Sequence, residues 1–435
     1  MTSQIYSKSY LLSSVDFQML SQILLFERLL PILNDAAETG QVVDMYELAC
    51  ATGAEVMAAY QMGTGNGMDI VRKGKEYERR VYLENGKKKL METKGYKKAA
   101  KQLEVECLEM LKKAEDFLRS SSSAPDDSKG NMDDENMGTD QVIENRSGST
   151  STYPVVYAQL RASITEKEQP KNVQETLRLI GSEFLDNIEA ARLGVGIVVT
   201  YAMYEISLHP GLQSSLRKEL MTLEMPLSYP PCKNIFSTSV LRQLDGFPLL
   251  DAVLTETLRL HSPIPGPLPR LVPKGGTVIE GYFIPAGVNI NSSAYCLHRS
   301  QVAYPEANLW KPERWMEIRN AASGQEFQNG GDGGELEKSR REDDPRRWFW
   351  VFGSGGRMCS GNNFALLCKS SWISYTNYDA DNLNFVAVMK LFLATIYTNF
   401  ATTVINMEGM EQRDHLVASP VGDKLILGFN KVPTV

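Results

Sequence analysis

FGSGGRMCSG, residues Phe352 to Gly361, is the stretch from which the rest of this chain is read. It fits F-x-x-G-x-R-x-C-x-G at every fixed position: Phe352, Gly355, Arg357, Cys359 and Gly361. A thiolate that binds a metal needs a loop whose backbone amides can turn toward the sulfur and tune it. Glycines permit tight turns with positive φ, so the backbone can fold closely around a bound group. Arg357 offers a guanidinium to an anionic group of a ligand, and Phe352 can pack near the sulfur and keep water out. The run after Gly361, NNFALL, reads as helix. That places Cys359 near a helix N-terminus, where the thiolate form is favoured. A glycine-rich turn around an ordinary buried cysteine is the bland alternative. It accounts for a lone G-x-R-x-C but not for five matched positions. A phosphate loop is excluded, because the chain has no G-x-x-x-x-G-K-S/T run.

Composition narrows the class around this loop. The chain has 435 residues, 43% hydrophobic and 23% charged, enough for one large domain or two to three smaller ones. Its net charge of -7 argues against nucleic-acid binding, since phosphate contacts want a basic surface. The cysteines Cys50, Cys107, Cys232, Cys296, Cys359 and Cys368 include no C-x-x-C, so neither a zinc ribbon nor a dithiol motif is indicated. The chain is too long for a disulfide scaffold, and its thiols are expected to be reduced. His209, His261, His298 and His415 lie far apart and do not suggest a histidine metal cluster. The opening MTSQIYSKSY has no apolar signal core. Leu20 to Leu33 is apolar but broken by Glu27, Arg28 and Pro31. Leu193 to Met203 falls short of the roughly 18–20 residues of a membrane span.

Residues 15–119 carry apolar positions at spacings of three and four and predict helix, with a Lys-rich amphipathic stretch from Lys87 to Lys113. Residues 120–152 turn to Ser, Gly, Asp and Asn and predict a disordered loop inside the domain; a second such stretch runs from Ala321 to Pro345. Gln174 to Leu208 predicts a long helix, ended by His209-Pro210-Gly211. Asp251 to His261 predicts another, stopped by SPIPGPLPR. Short strands follow at Thr277–Ile279, Tyr282–Ile284 and Val288–Ile290, parted by Gly281 and the turn Pro285-Ala286-Gly287. No internal repeat appears. The predicted fold is mainly α with small β-sheets (α+β).

Upstream of the loop, TETLRLHSP holds Glu256 and Arg259 as E-x-x-R, and KPERW spans Lys311 to Trp315. E-x-x-R alone says little: Glu76/Arg79, Glu189/Arg192 and Glu337/Arg340 match it too. The order is what matters: E-x-x-R, a Pro-rich exit, short strands, P-E-R, then the Cys loop. In that order the chain resembles the cytochrome P-450 superfamily, essentially over its whole length and most firmly from Gln174 to Val432. TETLRLHSPIPGPLPR and GYFIPAGVNINSSAYCLHR look most like fungal members. The resemblance implies one haem domain over 1–435, a cytochrome P-450 fold lacking its N-terminal part. It implies haem b with Cys359 as thiolate ligand and catalytic centre, and Phe352, Gly355, Arg357, Gly361 and Arg270 around the cofactor. It implies a structural charge network of Glu256, Arg259 and Arg314. The expected activity is a monooxygenase of secondary metabolism. It would put one atom of O2 into a small apolar substrate, with electrons from NAD(P)H through an NADPH-cytochrome reductase. A monomer at the endoplasmic reticulum membrane is expected, although this chain shows no anchor. Rival expectations are a haem-thiolate isomerase, dehydratase or peroxygenase, and a non-functional truncated haem protein.

Three departures from the family stand out. No W-x-x-x-R precedes residue 120, so an anchor, part of the main sheet and one pocket wall are expected to be missing. In the long central helix the family's acid–alcohol pair falls on Leu193 and Gly194. Small residues at Ala190, Ala191 and Gly194 leave room over a haem or serve close helix packing. Proton delivery is left to Thr200, Glu189, ordered water or the substrate. Finally, Cys368–Val388 interrupts the helix expected to run from NNFALL into MKLFLATIYTNF. Its first codons can hold an intron donor, and it is expected to be a retained insertion, with helix resuming at Met389.

Overall fold

The longest element is a 36-residue helix, Val173–Leu208, and the molecule is assembled on it. A computed structural model describes residues 15–63, 71, 94–122, 154–168, 172–231, 237–326, 344–354, 357–359 and 388–433. In chain order the helices are α1 (Val15–Ser21), a π-helical stretch (Gln22–Leu29), α2 (Leu30–Thr39), α3 (Met45–Met62), α4 (Lys94–Ser122), α5 (Val155–Glu168), α6 (Val173–Leu208) and α7 (Pro210–Leu220). They continue with α8 (Thr238–Asp245), α9 (Pro248–Leu260), α10 (Ala294–His298), α11 (Glu313–Glu326), a 3-10 turn (Pro345–Trp348) and α12 (Val388–Asn399). Helix α6 starts at Asn172, whose side chain accepts the Glu175 amide at 3.0 Å, and stops at His209 ahead of Pro210. By length and composition alone it could cross a membrane, but 78% of its most apolar window is buried inside the molecule. It is the core helix here.

Helix α3 has no polar face: all of Met45 to Met62 except Glu47 is buried. It lies against α6, and two glycines set how close they come. A Cβ on Gly53 would sit 2.7 Å from the Ala191 carbonyl oxygen, and one on Gly196 would sit 2.5 Å from Cys50 Sγ and 2.9 Å from Cys50 Cα. The buried Glu55 within α3 is paired with Arg28 and accepts the Val71 amide at 2.8 Å. Asp44 caps α3, accepting the Tyr46 amide at 3.1 Å, and accepts the Leu425 amide at 3.0 Å. The start of α3 is thereby tied to the C-terminal segment.

Among the described residues, three small antiparallel sheets complete the architecture, which is mainly α with little β. Strands β1 (Val43–Asp44), β7 (Ile426–Lys431) and β6 (Phe400–Asn406) form one sheet in the order β1-β7-β6. Strand β2 (Pro267–Leu271) pairs with β5 (Asn289–Ser293), Pro267 opposite Ser293 and Leu271 opposite Asn289. Strands β3 (Thr277–Ile279) and β4 (Tyr282–Ile284) form a hairpin turned by Glu280 at φ 49° and Gly281 at φ 81°. Two central residues with positive φ suit the twist of a tight hairpin. The expected strand at Val288–Ile290 is observed slightly later, at Asn289–Ser293, where pairing with β2 sets its limits.

Helix extends past two expected boundaries. Ser120–Ser122 still belong to α4, and residues 321–326 belong to α11 rather than to a loop. Once a helix has nucleated, each further residue adds a hydrogen bond, so polar residues can prolong it. The rest of the two low-complexity stretches, and most of Cys368–Val388, lie outside the described residues. Helix resumes at Val388, and every residue of α12 is buried, including Lys390. The Lys390 ammonium reaches Asp251 Oδ1 at 3.0 Å and the Asp245 carbonyl at 3.1 Å, so one buried cation joins α12 to α8 and α9.

Candidate functional site

Glu256 and Arg259 face one way on α9 because three residues make about one helical turn. Both side chains are wholly buried. Arg259 Nε donates to Glu256 Oε2 at 2.9 Å and Nη2 to Oε1 at 2.8 Å. The rest of the guanidinium holds the carbonyls of His298 (2.5 Å), Ala307 (2.7 Å) and Leu309 (3.1 Å). Arg314, in the first turn of α11, donates from Nε to Glu256 Oε1 at 3.0 Å and from Nη1 to the Pro305 carbonyl at 2.8 Å. The structure thus brings Glu256, Arg259 and Arg314 into one network. Two further donors complete it: the Lys311 amide to Oε1 at 2.9 Å and the Trp315 indole to Oε2 at 2.8 Å. A buried carboxylate with this many donors is well compensated, and the pair of arginines fixes the irregular segment 298–309 by its carbonyls.

Downstream, the chain passes from the 3-10 turn through Phe349, which packs against both the main core and the smaller cluster of Ala252, Tyr304, Ala307 and Trp315. The Trp350 amide donates to His298 Nε2 at 2.9 Å. The Trp350 carbonyl accepts the Gly353 amide at 3.1 Å, and the Cys359 amide returns to the Phe352 carbonyl at 2.9 Å. Gly353 takes φ +66°, a conformation that suits glycine, with Leu268 of β2 alongside. Phe352 packs half-buried on the main core. Cys359 is exposed and in no disulfide, and Arg357 is exposed beside it in sequence. Arg270, on β2, donates from Nη2 to the Ser354 carbonyl at 3.2 Å and from Nη1 to the Pro269 carbonyl at 2.9 Å. Arg270 and the turn are therefore in contact. Gly355 and Gly361 lie outside the described residues.

The small residues of α6 serve two different faces. Gly196 and the Ala191 carbonyl meet α3, and neither Gly196 nor the facing Gly53 has room for a larger side chain. Gly194 faces the other way: a Cβ there would meet nothing within 4 Å, Leu193 is half-buried and Ala190 is exposed. Two side chains named for proton delivery are otherwise engaged. Thr200 is fully buried and donates to the Gly196 carbonyl of its own helix at 2.7 Å. Glu189 is held by Arg192 through bonds of 2.8 and 2.9 Å.

These residues fit a haem. Cys107 is buried and its thiol is pushed up to about 11 by desolvation, as befits an inert structural cysteine. Cys359 is instead presented on the outside of a hydrogen-bonded turn. Among the described residues no group of three or more His, Cys, Asp or Glu could hold a metal ion. A single exposed thiol, on a turn that Arg270 contacts, suits a cofactor that would bring the remaining metal donors with it. Sequence reasoning missed Trp315 and His298. The tryptophan immediately after P-E-R was a usable signal; the histidine was not, since its partner is a backbone amide 52 positions away.

Comparison with known proteins identifies the family. A sequence model described as cytochrome P-450 matches residues 140–368. A cytochrome P-450 monooxygenase from Aspergillus hancockii is 26% identical over 280 residues, covering 62% of this chain and 45% of that protein. One from Aspergillus versicolor is 29% identical over 198 residues, 43% of this chain and 42% of the relative. One from Emericella nidulans is 36% identical over 121 residues, 28% of this chain and 23% of the relative. The chain matches less than half the length of each of these. The crystal structure of a cytochrome P-450 aligns with a TM-score of 0.63 at 14% identity, over 99% of this chain and 77% of the other, which speaks to the fold alone.

Proposed function

The chain belongs to the cytochrome P-450 family, and on that premise we propose that it is a haem-dependent monooxygenase that places one atom of O2 in an apolar organic substrate of fungal secondary metabolism. Electrons come from NAD(P)H through an NADPH-cytochrome reductase, at the endoplasmic reticulum membrane. The observation that carries the reading is the exposed Cys359 thiol on a closed turn that contacts Arg270. Haem, when bound, supplies the oxygen chemistry, and a thiolate ligand favours O–O cleavage.

The chain's own residues do the rest. Cys359 would hold the haem iron, and Arg270 and Arg357 would hold the propionates. Phe352 packs on the main core and so anchors the start of the turn. Protons reach the site from water or from the substrate, because Thr200 and Glu189 are bound elsewhere. That same observation favours a second reading, a haem-thiolate isomerase, dehydratase or peroxygenase, which needs no such relay.

The deciding experiment is a reduced, CO-treated difference spectrum of the haem-loaded chain. The long-wavelength Soret band of a thiolate-ligated haem is expected in the wild type, absent in Cys359→Ala and retained in Cys368→Ala. A thiolate band surviving in Cys359→Ala would overturn the assignment. NAD(P)H consumption with oxygenated product, in the presence of reductase, separates the first reading from the second.

A further inference from the structure

We infer that His298 is a positioning residue for the Cys359 turn, acting through the hydrogen bond between its Nε2 and the Trp350 amide. His298 is wholly buried at the end of α10. An imidazole nitrogen that accepts a backbone N–H is unprotonated, so the ring proton sits on Nδ1 and the ring is neutral. Burial, with Arg259 nearby, lowers the histidine from 6.5 to about 3, which keeps the acceptor available at every physiological pH.

Two observations separate this role from simple core filling. His298 Nδ1 is buried and has no hydrogen-bond partner among the described residues. Leaving a buried donor unmade is unfavourable. The ring stacks on Phe349 with centroids 5.6 Å apart at 25°, a place a phenyl ring would fill without an orphaned donor. What imidazole adds there is the acceptor for Trp350.

That acceptor lies at the base of the turn and is rigidly supported from behind. The His298 carbonyl is gripped by Arg259 at 2.5 Å, and Arg259 is fixed by Glu256. Trp315 donates to Glu256 and packs edge-on against Phe349 at 5.6 Å, which closes the circuit. From Trp350 the turn then builds outward, carbonyl to Gly353 amide and Phe352 carbonyl to Cys359 amide. The buried charge network thus reaches the thiol turn through one imidazole.

The structural part of this inference stands alone, while its consequence for ligation rests on the haem reading. The test uses the full chain as wild type, His298→Phe and His298→Gln. Phenylalanine keeps the ring and deletes the acceptor; glutamine loses the ring and can return an acceptor near the Nε2 position. In the haem-free chains, amide hydrogen exchange of the Trp350 segment should speed about tenfold in His298→Phe and return to within about threefold of wild type in His298→Gln. In the haem-loaded chains, the share of CO complex with the thiolate-type Soret band should fall in His298→Phe and recover in His298→Gln. Wild-type exchange in His298→Phe, or better protection in Phe than in Gln, overturns the inference and leaves a packing role. If the wild type itself gives no thiolate band, the haem reading has failed and the exchange comparison still decides this one.

Discussion

Glu256 accepts hydrogen bonds from Arg259, Lys311, Arg314 and Trp315 in a site closed to water, so its neighbours are not interchangeable. Arg314→Met removes one guanidinium and strips partners from the Pro305 and Glu306 carbonyls. Breaking a buried ion pair from one side costs roughly 3–5 kcal/mol, and the urea midpoint of the variant should fall accordingly. An unchanged midpoint would mean that water replaces the arginine. His298 sets a pH dependence of opposite origin. Its folded-state value lies below its unfolded value, so stability is fully present above about pH 6.5 and is lost as pH falls toward 3. In that window the unfolded chain binds a proton that the folded chain refuses, at up to about 1.4 kcal/mol per pH unit. Between pH 7 and 5 the wild type should lose about 2 kcal/mol more than His298→Gln, measured by denaturant unfolding at each pH. Equal losses would show that the ring protonates in place.

At the scale of elements, α6 presents two glycines two positions apart with opposite duties. Gly196→Ala drives a methyl against Cys50, backbone atoms included, at the crossing with α3. Overpacking of this kind costs about 1–3 kcal/mol. Gly194→Ala meets nothing within 4 Å and replaces glycine inside a helix, so it should stabilise by about 0.5–1 kcal/mol. Thermal melts of the two variants should move in opposite directions; a shared direction would refute the assignment of faces. Periodicity in the sequence showed α6 and α9 almost to their ends, and hairpin chemistry showed β3 and β4 at their observed limits. It did not show where α4 and α11 stop. Their last turns are polar, and a polar sequence carries little signal for either state; Gly324 lies inside α11, and Pro125 comes three residues after α4 ends.

For the molecule as a whole, cofactor binding and folding are linked, because a ligand that binds only the folded chain stabilises it by mass action. The turn that presents Cys359 is anchored to both hydrophobic clusters through Phe349 and Phe352, so a ligand at Cys359 is coupled to the entire core. Saturating haem at about 100 times its dissociation constant should raise stability by about 2.7 kcal/mol in the wild type. Cys359→Ala should gain much less, and differential scanning calorimetry with and without haem reads the difference. Equal gains in both chains would indicate haem adsorbed elsewhere.

The amino-acid sequence by itself determined the loop that presents a thiol, the spacing that places Glu256 and Arg259 on one face, and the division into long helices and short strands. These are local matters of residue type, period and turn chemistry, and they leave their mark within a few positions. Only the tertiary structure decided the rest. That Ala191 and Gly196 serve packing while Gly194 faces open space depends on which side of α6 meets α3. That Thr200 bonds its own helix and Glu189 its neighbour Arg192 depends on rotamers and on what else competes for them. That His298 holds Trp350 depends on two segments 52 residues apart being folded onto one buried network. Contacts between distant segments are set by packing of the whole chain, and no local pattern carries them.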